Sequence, residues 1–269
     1  MRTRAVYVLV AALAGALGSR VASAAESVTA PSIMRRMKQA LEPARPSVRS
    51  ITLRLQSRSG ETTEWRAAQA RKPLADAQGM LTVLLAPETV RGVALLVRDR
   101  PSEPELHIYA PAVRRARRLL PVEVNQSFFG TDITYADLGF VDLRPQSRLL
   151  GTEKRNGETV FRVEEVPAER WYYARIVSVV SADTWLPLER EFYDAANVLW
   201  KVERTVRVAR IEGVPTPLSV RMENVQEGSS TELEVTAVRY GVELPDALFD
   251  PAQLGKALAS PVWETGSPR

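Results

Sequence analysis

"VLWKVERTVRV", residues 198–208, places Val198, Trp200, Val202, Val206 and Val208 on one side of an extended chain and Leu199, Lys201, Glu203, Thr205 and Arg207 on the other. A period of two marks a strand, because successive side chains of extended backbone point to opposite faces. "PLSVRMENV" (217–225) and "TELEVTAVRY" (231–240) continue the alternation and are joined by the turn-forming "QEGSS" (226–230). The end of the chain therefore reads as antiparallel hairpins.

The same reading extends upstream. "SITLRLQS" (50–57) sets Ile51, Leu53 and Leu55 against Thr52, Arg54 and Gln56, and "TTEWRAAQARK" (62–72) follows a Ser-Gly turn at 59–60. "GMLTVLLAP" (79–87) and "GVALLV" (92–97) are apolar at consecutive positions, as expected where both faces of a sheet are covered. "ELHIYAP" (105–111) and "VRRARRLLP" (113–121) complete this half. One convincing helix precedes the strands, "APSIMRRMKQALEP" (30–43), with Ile33, Met34, Met37, Ala40 and Leu41 at helical spacing and Pro43 and Pro46 to stop it. A helix this short is marginal alone and must lay its stripe on the sheet. Weak helical signals recur at "TYADLGF" (134–140) and "PAQLGKALA" (251–259). The sum is a mainly β chain of ten or eleven strands in one antiparallel sheet, large enough that it must curl or close. No composition break, repeat or low-complexity tract divides it.

The first 24 residues have the form of a secretory signal peptide: Arg2 and Arg4, an apolar run from Ala5 to Leu17, and small residues ending in Ala22-Ser23-Ala24. The apolar run is shorter than the roughly 20 residues a membrane span needs. Export followed by a single domain over 25–269 is the expectation, and the absence of cysteine suits a periplasm in which a large core replaces disulfides. The formal charge of +4 rests on Arg2, Arg4 and Arg20, which would leave with the signal; 33 basic residues then face 32 acidic ones. Such a balance gives no overall field toward nucleic acid.

His107 is the only histidine, no G-x-S-x-G elbow is present, and there is no cysteine, so a serine or cysteine triad is improbable. H-E-x-x-H, a P-loop and a dinucleotide fingerprint are absent, and no cofactor or metal is expected. Asp132, Asp137 and Asp142 leave a carboxylate pair open on paper, which would make an envelope hydrolase, although Asp132 reads more naturally as a cap for the short helix after it. Arg114, Arg115, Arg117 and Arg118 form either a charged edge strand that discourages aggregation or a basic rim for an anionic head group or partner protein. Phe128 and Phe129, in "QSFFGTDITYADL" (126–138), belong either to the core or against a ligand.

"LHIYAPAVRRARRLLPVEVNQSFFGTDITYADLGF" (106–140) resembles the signature of the outer-membrane lipoprotein-sorting proteins, the LolA-like periplasmic family: an aromatic strand ending in Pro, an Arg-rich strand, then Phe-Gly-Thr-Asp and Tyr-x-Asp-Leu. "LPDALFDPAQL" (244–254) resembles the Leu-Pro-x-x-x-Phe close of such chains. The branch it is most similar to includes proteins that accompany RND- or MMPL-type exporters. The resemblance implies a strongly curved antiparallel half-barrel with helices on its concave side, enclosing a hydrophobic cavity for acyl chains. Residues 126–140 would then lie over the cavity. The implied cavity or lid residues are Leu53, Leu55, Trp65, Leu84, Phe128, Phe129, Tyr135, Leu138 and Phe140. A monomeric, non-enzymatic carrier of lipid or lipoprotein acyl chains is the leading expectation, with an inner-membrane exporter and an outer-membrane acceptor as partners. The alternative is an accessory or sensor subunit that binds such an exporter or a regulatory protein.

Overall fold

The computed structural model describes residues 28–100, 104–139, 145–168 and 171–266. The proposed signal segment and Phe140 and Asp142 lie outside these. Two antiparallel meanders make one sheet. The first is β1 (Ser47–Gln56), β2 (Thr62–Pro73), β3 (Gln78–Ala86), β4 (Ala94–Asp99), β5 (Glu105–Ala110) and β6 (Arg115–Arg118). The second is β7 (Gln146–Arg155), β8 (Glu158–Val166), β9 (Tyr173–Ser181), β10 (Pro187–Asp194), β11 (Leu199–Ile211), β12 (Val214–Asn224) and β13 (Ser229–Tyr240). β1 pairs with β13, so the order is β6-β5-β4-β3-β2-β1-β13-β12-β11-β10-β9-β8-β7, and the sheet is not closed.

The sheet has thirteen strands rather than ten or eleven. The shortfall lies in the second meander, where periodicity is weak for two reasons. β7 is an edge strand exposed along most of its length, so neither face selects apolar residues. Irregular pairings at Leu149/Gly151, Pro187/Glu189 and Phe192/Tyr193 also shift the alternation within strands.

α1 (Ala30–Leu41) fixes the curvature. Thr29 caps it through a reciprocal bond with Ser32, and Pro31 occupies the first turn. Ile33 and Met37 are buried against Phe161 and Val163 of β8 and Val180 of β9. On its other side Lys38 Nζ reaches Asp99 Oδ2 of β4 at 2.6 Å, and Arg71 Nη1 of β2 donates to the carbonyl of Leu41 at 2.9 Å. β4 and β8 are nine strand spacings apart in the sheet order, about 43 Å if it were flat. A helix about 10–12 Å wide touches both, so the sheet curls around it.

The register assigns each face. Leu53 pairs with Trp65 and Leu233, Val97 with Met80 and Leu106, and farther round Lys201 with Phe192 and Asn224, all on the inner face that carries α1. Because β6 and β7 are consecutive in the chain and at opposite edges, the connection between them must cross this face. Within its described residues the short helix α2 (Tyr135–Gly139) does so. The outer face is treated unequally. Across β1–β5 it is covered by the C-terminal 3-10 turns, with Leu244, Leu248, Phe249, Leu254 and Ala257 packed on Val48, Ala70, Leu81, Val83, Ala94 and Leu96. The helical signal at 251–259 is thus a 3-10 segment on the outer side, not the concave one. A Cβ at Gly79 would stand 2.8 Å from the Phe249 ring, so the lack of a side chain there is what lets Phe249 seat. Over β10–β13 the outer face instead carries cross-strand pairs such as Arg204 with Glu189 and Glu223, and Arg207 with Glu234.

Candidate functional site

Within 119–139 the chain forms a compact plug. Phe129 and Gly130 both adopt positive φ (50° and 85°), and the glycine accommodates the second of these without strain. The reversal is closed by Phe128 N–H donating to Ile133 O at 2.8 Å, with the Thr131 hydroxyl within reach of the Phe128 and Ile133 carbonyls. Phe128 is only 2% exposed and meets Phe129 and Tyr135 edge-to-face, with ring centres 5.3 and 5.6 Å away; Phe129 meets Trp65 at 6.3 Å. Leu53, Trp65, Leu84, Phe128 and Tyr135 are one buried cluster, and Leu55, Phe129 and Leu138 pack against it. These eight residues therefore come together, and they fill the inner face over β1–β5.

Beside the plug the inner face is open. A cavity of about 840 Å³ lies between α1, α2 and strands β9 and β10, with walls from Met34, Leu41, Trp171, Tyr172, Ile176 and Phe192. None of the eight described residues implied by the resemblance lines it, although Ala136 and Asp137 of the same connection do. Leu55 instead borders a second, more polar cavity of about 550 Å³ across the plug, with Asn125, Asp132, Lys201 and Ser229. The wall residues of the larger cavity carried two readable signals: the apolar stripe of α1 and the aromatic run Trp171-Tyr172-Tyr173.

A buried polar cluster separates the two cavities. Asp137 accepts from Thr134 N–H at 2.9 Å while its own N–H donates to Thr134 Oγ1 at 3.1 Å, a reciprocal cap on α2. The cap expected of Asp132 is therefore made by Thr134 and Asp137. Asp132 accepts from Ser229 Oγ (2.5 Å) and Thr231 Oγ1 (2.8 Å) and ties the plug to β13. Asp137 also accepts from Tyr173 OH at 3.1 Å and lies 3.6 Å from Lys201 Nζ, both side chains of this ion pair being almost wholly buried. Burial, and then the Asp137 charge, pushes both the Tyr172 and Tyr173 hydroxyls up from their ordinary value, so they serve as neutral donors. Glu203 sits on the same face 3.9 Å from Arg190; burial raises its carboxyl above the ordinary range and Arg190 opposes this only in part.

In β11 the valines are not the inner side. Lys201 and Glu203 point inward, and Val198, Val206 and Val208 remain exposed on the other side. Arg115, Arg117 and Arg118 form the short edge strand β6, and Arg114 is in the positive-φ turn before it. Arg117 makes a two-pronged pair with Glu123 at 2.8 Å per bond, which holds the Glu123 carboxyl below its usual range. His107 faces the outer side opposite Arg118, with its Nδ1 buried and without a partner. Among the described residues no group of three or more His, Asp or Glu side chains is placed to hold a metal ion, and no helix is long and apolar enough to cross a membrane.

No curated protein matches the chain. A family model described only as an uncharacterized protein matches residues 76–256. A solved structure described as an outer membrane lipoprotein-sorting protein domain, from Vibrio parahaemolyticus, superposes with a TM-score of 0.77 at 24% identity, over 83% of this chain and 97% of that one. The chain belongs to that uncharacterized family, and it shares the fold of the lipoprotein-sorting structure. Two further solved structures share the fold. A DUF1329 family protein from Desulfovibrio piger has a TM-score of 0.76 at 26% identity, over 82% of this chain and 96% of that one. A LolA superfamily protein from Nitrosomonas europaea has a TM-score of 0.68 at 21% identity, over 83% and 98%.

Proposed function

We propose that the protein is a non-enzymatic periplasmic carrier that shields the acyl chains of a lipid or lipoprotein on the way to the outer membrane. The observation that carries this reading is the cavity of about 840 Å³ under α1, whose wall is mostly aliphatic and aromatic. Its size falls in the range of single-ligand pockets, about 300–1,000 Å³. Burial of apolar surface, at about 25 cal/mol per Å², supplies the affinity. Release then needs an acceptor that binds the cargo better. The shared fold with a protein described as lipoprotein-sorting supports the choice of cargo, and residues 1–24 supply the export signal of a single exported domain. An exporter in the inner membrane and an acceptor at the outer membrane are the partners this cycle requires.

The reading places the chain in the cavity beside the plug, with Leu53, Leu55, Trp65, Leu84, Phe128, Phe129, Tyr135 and Leu138 as its packed side wall. Phe140 continues the same connection. Native mass spectrometry with lipid extraction on protein purified gently from its own periplasm tests it. A stoichiometric adduct of lipid or lipoprotein mass is expected. A clean ligand-free mass, together with co-purification of an exporter, would replace the carrier by the accessory-subunit reading.

A further inference from the structure

The arginines of this protein differ in how far they spend their donors; Arg49, Arg98 and Arg190 each keep a buried Nε without a partner, but Arg49 and Arg98 bond through their Nη atoms to Tyr240 and Asp76. Arg204, on the solvated outer face, bonds Glu189 at 3.1 Å and Glu223 at 2.8 Å. Arg71, on the inner face, gives Nε to Gln69 Oε1 at 2.7 Å and Nη1 to the Leu41 carbonyl. Arg190 differs from both. Its side chain is 12% exposed and lines the large cavity, yet its Nε is buried without a hydrogen-bond partner and its Nη atoms make no hydrogen bond to a described residue. The nearest carboxylate among the described residues, Glu203, is 3.9 Å away, beyond hydrogen-bonding distance. A guanidinium carries five N–H donors in a planar fork, and buried donors are almost always satisfied.

The other charges of the cavity wall do not take up these donors. Asp137 is bonded to Thr134 and Tyr173 and paired with Lys201, and Lys38 is paired with Asp99. Glu42 and Glu165 have interactions of their own, and Arg35 adds a second cation on α1. The Arg190 guanidinium lies over the Phe192 ring at 4.9 Å, which holds it beside the apolar wall of Trp171, Ile176 and Phe192.

We infer that Arg190 is an anion seat inside the cavity, and that the cargo is an amphiphile whose acidic head group, a phosphate or a carboxylate, takes its fork while the chain lies along the aromatic wall. This rests on the carrier reading and narrows it to a ligand class. The planar fork matches two oxygens of either group, whereas a neutral ester or alcohol accepts fewer and weaker bonds.

Calorimetric titration of the exported chain with dodecyl phosphate, dodecanoate, dodecanol and dodecyltrimethylammonium, all below micellar concentrations, separates the possibilities. Both anions are expected to bind at least about tenfold more tightly than dodecanol, the worth of one charge-assisted hydrogen bond, and the cation more weakly. The tighter of the two anions names the head group. Arg190→Gln is expected to abolish the difference, with both anions falling to the affinity of dodecanol for the same variant. Equal affinities in the wild type, or a preference that survives in Arg190→Gln, overturn the anion seat and leave the carrier standing. No binding of any amphiphile sinks the carrier reading itself. Should Arg190→Gln fail to fold, the arginine Nε–H resonances of the wild type decide: one is expected to move downfield with dodecyl phosphate and not with dodecanol, and no such shift overturns the seat.

Discussion

The two halves of the sheet solve different problems. Over β3 and β4 and the adjoining ends of β1, β2 and β5 both faces are buried, the inner by the Phe128–Tyr135 plug and the outer by the C-terminal turns, so this half is a filled sandwich. From β8 to β12 the outer face meets water through Arg–Glu pairs, and the inner face is left partly open beneath α1. One half thus supplies stability and the other supplies space. A chain that must hold a removable cargo cannot pack every surface, since a close-packed interior has no room for one. The dense half lets the open half remain open.

Substitutions can break or sharpen this contrast, beginning where the effect is largest. Phe249→Ala removes a 2%-exposed ring from the outer cover of the filled half and is expected to lower unfolding stability by about 3–5 kcal/mol, read from denaturant midpoints. Lys201→Met strikes the buried pair that joins the plug to the open half. It leaves Asp137 without its cation and is expected to cost about 3 kcal/mol. Adding Asp137→Asn should restore part of that loss, and full additivity of the two single changes would mean that the pair is not coupled. Gly79→Val presses a side chain into Phe249, with an expected cost of about 1–3 kcal/mol. Arg204→Ala, in the solvated ladder of the open half, should cost under about 1 kcal/mol even though it loses two carboxylate partners. A loss there equal to that of Phe249→Ala would erase the distinction between the halves.

Much of the filled half was legible in the sequence, because its residues obey simple periods. "GMLTVLLAP" and "GVALLV" lack alternation and became β3 and β4, buried on both faces. The stripe Ile33, Met37 and Leu41 announced a helix laid on a sheet, and α1 is that helix. The signature 106–140 pointed to a segment lying over an acyl cavity; Phe128, Phe129 and Tyr135 instead pack with Trp65 in a buried cluster, and none of them lines the large cavity. The open half was harder. Its strands carry polar residues inward where ion pairs satisfy them, so Lys201 and Glu203 occupied positions that alternation alone would give to solvent. The bulges at Phe192/Tyr193 and Leu149/Gly151 break the period. Trp171, Tyr172 and Ile176 lie along a cavity wall set by the curl of the whole sheet, a long-range property that no local pattern encodes. Asp137 illustrates the same limit. Its spacing from Thr134 predicts a cap in hindsight, but its pairing with Lys201 depends on strands more than sixty positions away.

The most direct test of the division is the location of a bound chain. A crystal structure with a terminally brominated twelve-carbon amphiphile would mark the chain end by its anomalous signal. The peak is expected between α1 and β9–β10, in contact with Trp171, Ile176 or Phe192. A peak beneath Trp65 and Phe128, with the plug displaced from β1 and β2, would contradict the account, because the cargo would then occupy the filled half.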